Sequence, residues 1–220
     1  MTKASPAGLS PVHKLSAQDL TDPFDCGRED LVGLCDTAMR KAIASQPFDS
    51  FAEDLLAERS VRPLVIVGAS KVDDLLVEML RVFLLPKTAR SNDQDELLDG
   101  DNPLATFSAR IKMCRRLGLI DATLSVALER LRVLRNLSAH SISFDHGRSP
   151  VREHLGELRR HVASRRSYDL TRTRYFDNAP LREIEEWQCL LLTLCVLLEV
   201  IGKKVRRTSG CANALRIAAK

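Results

Sequence analysis

The chain has 220 residues, of which 45% are hydrophobic and 28% charged, and its formal net charge is +4. This length allows one large domain, and the apolar fraction can fill a core, which excludes a compositionally disordered chain. The longest nearly apolar run, residues 189–198, is too short to span a bilayer, and the first residues lack an apolar secretory stretch. We therefore expect a soluble, cytoplasmic protein that does not enter a membrane.

Residues 1–24 contain scattered proline, serine and threonine, and we expect them to form a flexible arm. A first helix is expected over about residues 29–44. A stronger helical pattern follows, with Pro63 in its first turn and Pro86 just past its end. Within it the run at residues 64–67 alone could be a short strand. Its apolar and small residues recur every three or four positions: Val65, Gly68, Ala69, Val72, Leu76, Met79, Leu80 and Phe83.

An acidic loop at residues 91–102 separates this helix from the next. Asn102 and Pro103 have the character of an N-cap and a first helical residue, so they predict a helix start. Gly118 predicts the end of that helix, and Asp121 predicts the cap of the following one. The two helices carry regular apolar faces: Phe107, Ile111, Cys114 and Leu117, then Leu124, Ala127, Leu131, Leu134 and Ser138.

Residues 141–180 have a looser pattern, with one helix expected over about residues 150–164 and a break at residues 178–180. The last helix is clear, because apolar residues keep a seven-residue repeat and their neighbours broaden the stripe. A helix that is apolar nearly all round is buried on several sides, in a core or in a dimer interface. The repeat is formed by Ile184, Trp187, Leu191, Leu194, Leu198, Ile201 and Val205.

The sequence gives no sign of a cofactor or a metal site. Six cysteines are present, but none forms a Cys-x-x-Cys pair or has zinc-ligand spacing to histidine. Glycine-rich phosphate loops and the Gly-x-Ser-x-Gly elbow are also absent from the sequence. We expect reduced cysteines, several of them in the core, and no disulfide framework.

Three segments resemble the mannitol operon repressor (MtlR) family. They are LLDGDNPLATFSARIK at residues 97–112, with LGLI at 117–120, then GAS at 68–70, and RNLSAH at 135–140. The resemblance covers about residues 60–208. It implies an all-helical, transcription-associated regulator that represses through a protein partner. No helix-turn-helix is evident, so sequence-specific DNA binding is not expected.

The segment Arg135, Asn136 and His140 also resembles the Arg-x4-His motif of the HEPN superfamily, which includes metal-independent ribonucleases. Histidine can exchange a proton near neutral pH, and the arginine guanidinium can hold a phosphate. Asn136 and His140 are four residues apart and would share a helix face. This resemblance implies an alternative function as an endoribonuclease, with two motifs meeting across a homodimer. A structural role is another reading, with Asn136 and His140 bonding backbone groups or capping the helix end and Arg135 paired to an acid such as Asp145. A third reading is a pocket that binds a ligand or RNA without catalysis.

Arginine is concentrated between residues 145 and 174, where eight arginines face four acidic residues. Such a run is usually a solvated surface, but it could also hold RNA in a nuclease. The candidate RNA-binding residues are Arg159, Arg160, Arg165 and Arg166. The chain beyond residue 201 has six basic residues and no acid, so binding of DNA without sequence preference is a third hypothesis.

Together these patterns predict an all-α bundle of about six or seven helices, HEPN- or MtlR-like, in residues 25–208. The flexible arm at residues 1–24 would precede it, and a basic tail at residues 209–220 would follow. The leading hypothesis is a homodimeric regulator that binds a protein partner, and the alternative is the endoribonuclease.

Overall fold

The computed structural model describes residues 37, 40–41, 46–84, 95–141, 144 and 149–218. Within these residues the chain forms seven α-helices and no strand, which confirms the predicted all-α fold. The predicted arm, and nearly all of the predicted helix at residues 29–44, lie outside the described residues. The helices are α1 (Gln46–Ala57), α2 (Val61–Phe83), α3 (Phe107–Arg116), α4 (Ala122–His140), α5 (Val151–Ala163), α6 (Arg166–Phe176) and α7 (Glu183–Ala218).

The core is built around a parallel pair of helices, α2 and α7. Gly68 lies against Leu191 and Met79 lies against Gly202, so the contacts advance in the same direction along both helices. A Cβ atom on Gly68 would come within 2.8 Å of Leu191 Cδ1, so the missing side chain allows the close approach. Residues 187–198 of α7 are all buried, as the all-round apolar pattern predicted.

The predicted start of α3 at residues 102–103 is wrong. The helix begins at Phe107, after the N-cap Thr106, whose hydroxyl oxygen accepts a backbone N–H at 3.2 Å. The asparagine amide at position 102 instead donates to the carbonyl oxygens of Asp95 and Asp99, at 3.2 and 2.7 Å. Asparagine side chains form hydrogen bonds with backbone groups both in loops and at helix caps. Here the amide stabilises the acidic loop and does not cap the helix.

The turn between α3 and α4 follows the prediction. Gly118 has a φ of +69°, in the left-handed region that glycine adopts without strain, and it ends α3. Asp121 is the N-cap of α4, and its Oδ1 atom accepts the backbone N–H of Leu124 at 2.6 Å. The periodic apolar face of α4 is buried as expected.

The helix α6 was not predicted. Its buried residues are Ser167, Tyr168 and Thr171, two of them small and polar, so the sequence shows no apolar stripe there. Asp177 and Asn178 follow it with φ values of 48° and 57°. The helical structure is therefore interrupted where the sequence predicted a break.

Gln188 attaches α1 to the central helix α7. Its side chain is 3% exposed, and its Nε2 group donates to the carbonyl oxygens of Leu55, Leu56 and Glu58 at 3.1 to 3.2 Å. The last carbonyl groups of a helix have no partner within the helix. The glutamine therefore satisfies the end of α1 inside the protein.

None of the helices described has the length and apolar character needed to cross a lipid bilayer. Cys114, Cys189 and Cys195 are free and buried. Burial raises the pKa of each of these three thiols to about 12, so they remain protonated at neutral pH.

Candidate functional site

A cleft of about 350 Å³ lies between α2, the start of α3 and the second half of α4. The α2 side contributes Ser70 and Asp73, and residues 105–108 form the α3 side. From α4 come Arg132, Arg135 and Asn136. The structure thus brings Arg135 and Asn136, two of the three residues predicted to be catalytic, to the same cleft.

Arg135 differs from the other arginines around this cleft in its bonding. Arg132 forms a salt bridge with Glu129 at 2.8 Å, and Arg110 forms one with Asp73 at 2.8 Å. Arg135 is exposed and makes no salt bridge within the part of the chain described. Its Nη1 group donates to the Oδ1 atom of Asn136 at 3.3 Å. The predicted alternative partner at position 145 lies outside the described residues.

His140 is the last residue of α4, and its side chain is exposed. It does not line the cleft. Histidine at the end of a helix is stabilised by the negative pole of the helix dipole, whatever its function. His140 is therefore not among the residues that line the cleft with Arg135 and Asn136.

Asp73 and Arg110 form a half-buried pair beneath the cleft. The guanidinium group of Arg110 also donates to the carbonyl oxygens of Leu104 at 2.9 Å and Leu98 at 3.0 Å, so it holds the acidic loop against α2. Burial raises the pKa of the Asp73 carboxyl, and the hydrogen bond from Arg110 only partly offsets this. The Oδ1 atom of Asp73 is buried without a hydrogen-bond partner.

The first turn of α3 also faces the cleft. The first N–H groups of a helix have no carbonyl partner within it. Thr106 satisfies the N–H of Ala109 through its side chain, but the N–H groups of Phe107 and Ser108 have no acceptor among the described residues. The helix N-terminus therefore adds unpaired donors and partial positive charge to one wall.

The four arginines predicted to bind nucleic acid lie elsewhere. Arg165 binds both carboxylate oxygens of Asp121 at 2.9 and 3.1 Å, and Arg159 forms a salt bridge with Glu186 at 2.9 Å. Arg160 and Arg166 are exposed.

Arg165 and the cleft belong to different ends of α4. Asp121, which holds Arg165, caps the start of the helix, whereas Arg135 lies 14 residues further on, or about 21 Å along the axis. The structure therefore keeps Arg165 away from the cleft, and none of the other three arginines lines it. The predicted role of the four arginines in RNA binding stays a prediction. The side chains of the basic residues beyond 205 lie outside the described part.

Among the described residues, no group of three or more histidine, cysteine, aspartate or glutamate side chains is placed to hold a metal ion. Sequence reasoning found Arg135 and Asn136 but missed the pairing of Asp73 with Arg110. The two residues are 37 positions apart, and no local pattern connects them.

No protein-family model matches the chain, and no curated protein matches it. Among solved structures, the fold is similar to a chain of the X-ray structure of the MtlR–HPr complex from Escherichia coli. The two chains are 22% identical, the match covers 71% of this chain and 99% of the other, and the TM-score is 0.49.

Proposed function

We propose that the chain is a regulatory protein that acts by binding a protein partner, with the cleft between α2 and α4 as the contact site. The supporting observation is the division of the predicted residues, because Arg135 and Asn136 line the cleft and His140 does not. An exposed arginine without an ion pair is a strong anchor for an anionic group of a partner. The cleft can therefore bind an anionic group of a protein partner through Arg135.

The same observation argues against proton transfer in the cleft. Cleavage of RNA without a metal needs a group that exchanges a proton next to the phosphate. The imidazole of His140 is outside the cleft, and the carboxyl group that lines it, Asp73, is bound to Arg110. Binding therefore accounts for the arrangement with fewer assumptions than catalysis does.

The proposal is tested by identifying the partner with wild-type protein and measuring its affinity for purified variants. We expect Arg135→Glu to weaken binding by about 10- to 100-fold, the effect of losing a hydrogen bond to a charged group. The matched control is Arg152→Glu on α5, because Arg152 is also exposed and lies outside the cleft. Equal affinities of the two variants for the partner would show that the cleft is not the contact site.

A ribonuclease is the second candidate, because Arg135 is exposed and shares a cleft with Asn136. The test is cleavage of mixed RNA in EDTA by wild-type protein, beside Arg135→Ala and His140→Ala. On our proposal wild-type protein does not cleave RNA. Cleavage that both substitutions abolish would replace the regulatory proposal with the enzymatic one.

A further inference from the structure

We infer that the cleft receives a compact anionic group, a phosphate or a carboxylate, carried by the molecule that binds there. The inference deepens the proposed function and rests on it for the identity of the carrier, a protein partner. The anion preference itself comes from the side-chain and backbone groups that line the cleft.

The α4 wall of the cleft presents side-chain donors. Arg135 has a guanidinium group with five N–H donors, and the observed bond to Asn136 uses one of them. Because the Oδ1 atom of Asn136 accepts that bond, the amide NH₂ group of Asn136 is left as a donor. These two neighbouring side chains therefore offer hydrogen bonds and a positive charge to the same ligand.

The α3 wall adds two backbone donors. The N–H groups of Phe107 and Ser108, which have no acceptor among the described residues, belong to the first turn of a 10-residue helix, and both residues line the cleft. Donors at a helix N-terminus favour anions through their own hydrogen bonds and through the helix dipole. They support the preference that Arg135 and Asn136 establish.

Several acceptors around the cleft are already engaged, but the Oδ1 atom of Asp73 is buried without a hydrogen-bond partner among the described residues. Asp73 accepts from Arg110 through Oδ2, and Thr106 accepts the N–H of Ala109. The carboxylate of Glu129 binds Arg132 at 2.8 Å and the hydroxyl of Ser108 at 3.4 Å. A ligand that enters the cleft therefore meets more free donors than free acceptors, so an anion gains more hydrogen bonds there than a cation does.

The volume of the cleft indicates that the anion is part of a larger group. A space of about 350 Å³ corresponds to the size of a small-ligand pocket and exceeds what a single phosphate fills. The anion would bind at Arg135, and the group that carries it would occupy the remainder.

The test is titration of inorganic phosphate, and separately of acetate, into the purified 220-residue chain at constant ionic strength, followed by NMR or calorimetry. We expect saturable binding to wild-type protein and binding weakened by at least about tenfold in Arg135→Gln. Arg152→Gln, an exposed arginine outside the cleft, is the control and should bind like wild type.

A second pair of variants isolates the backbone donor of α3. Proline is tolerated at the first helical position, and Thr106 before it has the extended conformation that proline requires. Phe107→Pro and Phe107→Ala both remove the aromatic ring, but only proline removes the N–H. We expect phosphate to bind Phe107→Pro about 2- to 10-fold more weakly than Phe107→Ala, the effect of one hydrogen bond.

The outcomes separate this inference from the proposed function. Absence of saturable binding of either anion, or equal binding to wild type and Arg135→Gln, overturns the inference even where Arg135→Glu releases the partner. Displacement of the partner by phosphate supports an anion carried by the partner. Phosphate binding through Arg135 without displacement overturns that assignment and leaves a site for a free small anion.

Discussion

At the scale of single residues, one missing side chain sets the distance between the two central helices. Gly68 is buried in α2, and the nearest atoms to a Cβ built there are Leu191 Cδ1 and Cδ2, at 2.8 and 2.9 Å. Gly156 in α5 offers the contrast, since no atom lies within 4 Å of its Cβ position. The two glycines share a helical backbone and differ in packing alone.

We expect Gly156→Ala to stabilise the protein by about 0.5–1 kcal/mol, because alanine is the better helix former. Gly68→Ala gains the same propensity but forces Leu191 to move, and overpacking of a core costs about 1–3 kcal/mol. The unfolding free energy of Gly68→Ala should therefore be lower than that of Gly156→Ala by about 1–3 kcal/mol, as measured by urea denaturation. Equal stabilities would mean that Leu191 has room to adjust.

Asp121 should make stability depend on pH. Burial opposes its ionisation, but the hydrogen bonds from Arg165 and from the N–H of Leu124 outweigh it and lower the pKa of the carboxyl. A carboxyl with a lowered pKa in the folded state stabilises the protein above its unfolded pKa, and this stabilisation is lost as pH falls through the folded value.

Asp121→Asn tests this, because asparagine keeps the N-cap and removes only the charge. The carboxylate side chain is 57% exposed, so we expect a loss below about 1 kcal/mol at neutral pH. The difference between variant and wild type in urea unfolding should shrink as pH falls below about 4. A difference that does not change with pH would assign the effect to geometry and not to charge.

At the scale of helices, the sequence predicts a helix best where its buried residues recur at regular intervals. The helices α2, α4 and α7 each carry a regular apolar face, and the pair Gly118 and Asp121 marks a turn through local chemistry alone. The helix α6 has no such face, because Ser167 and Thr171 are buried in the position that apolar residues usually occupy. Thr171 donates its hydroxyl to the carbonyl oxygen of Ser167, four residues earlier in the same helix. Buried residues of this small polar kind add no apolar position, so the sequence shows no helical stripe there.

The candidate site was predictable to the same extent. Arg135 and Asn136 belong to one short motif, so the sequence indicates both. The contribution of Asp73 and of the α3 N-terminus depends on tertiary contacts, because α2 and α3 are joined by a loop whose bonding decides where α3 begins. His140 is the opposite case, a motif residue that does not line the cleft. A sequence motif in one helix does not determine which of its side chains reach a cleft.

Gln188 should control the docking of α1. Gln188→Leu keeps a side chain of similar size and removes the amide donor. The carbonyl oxygens of Leu55, Leu56 and Glu58 then lose this hydrogen bond, which should lower the free energy of unfolding by about 1–3 kcal/mol. Relative to wild type, we expect Gln188→Leu to accelerate hydrogen exchange in α1 more than in the rest of the protein. Thr193→Val is the control, because Thr193 is also buried in α7 but donates within its own helix. Equal acceleration of exchange in α1 by both variants would contradict a specific role for Gln188.

At the scale of the whole molecule, three buried thiols can report whether the core opens as one unit. Cys114 lies in α3 and the others, Cys189 and Cys195, lie in α7; burial raises the pKa of each to about 12. We expect all three to resist thiol reagents near pH 8 in the folded protein, because the reactive thiolate is scarce and enclosed.

Labelling at increasing urea concentration should then modify all three thiols at one midpoint, since a single core unfolds cooperatively. Mass spectrometry of a variant with the other three cysteines replaced by serine gives the extent of labelling at each position. Earlier labelling of Cys114 would show that α3 opens while α7 stays folded.

The parallel arrangement of α2 and α7 has a consequence for biosynthesis. The glycine contacts of this pair join residues 123 positions apart, so the cover of α2 is synthesised long after α2 itself. At about 5–20 residues per second, that interval lasts roughly 6–25 s. Contacts of such large sequence separation also fold slowly, because a long loop must close first. Until α7 has left the ribosome, the face of α2 that packs against α7 stays uncovered on the nascent chain, and a chaperone that binds apolar surfaces has time to act.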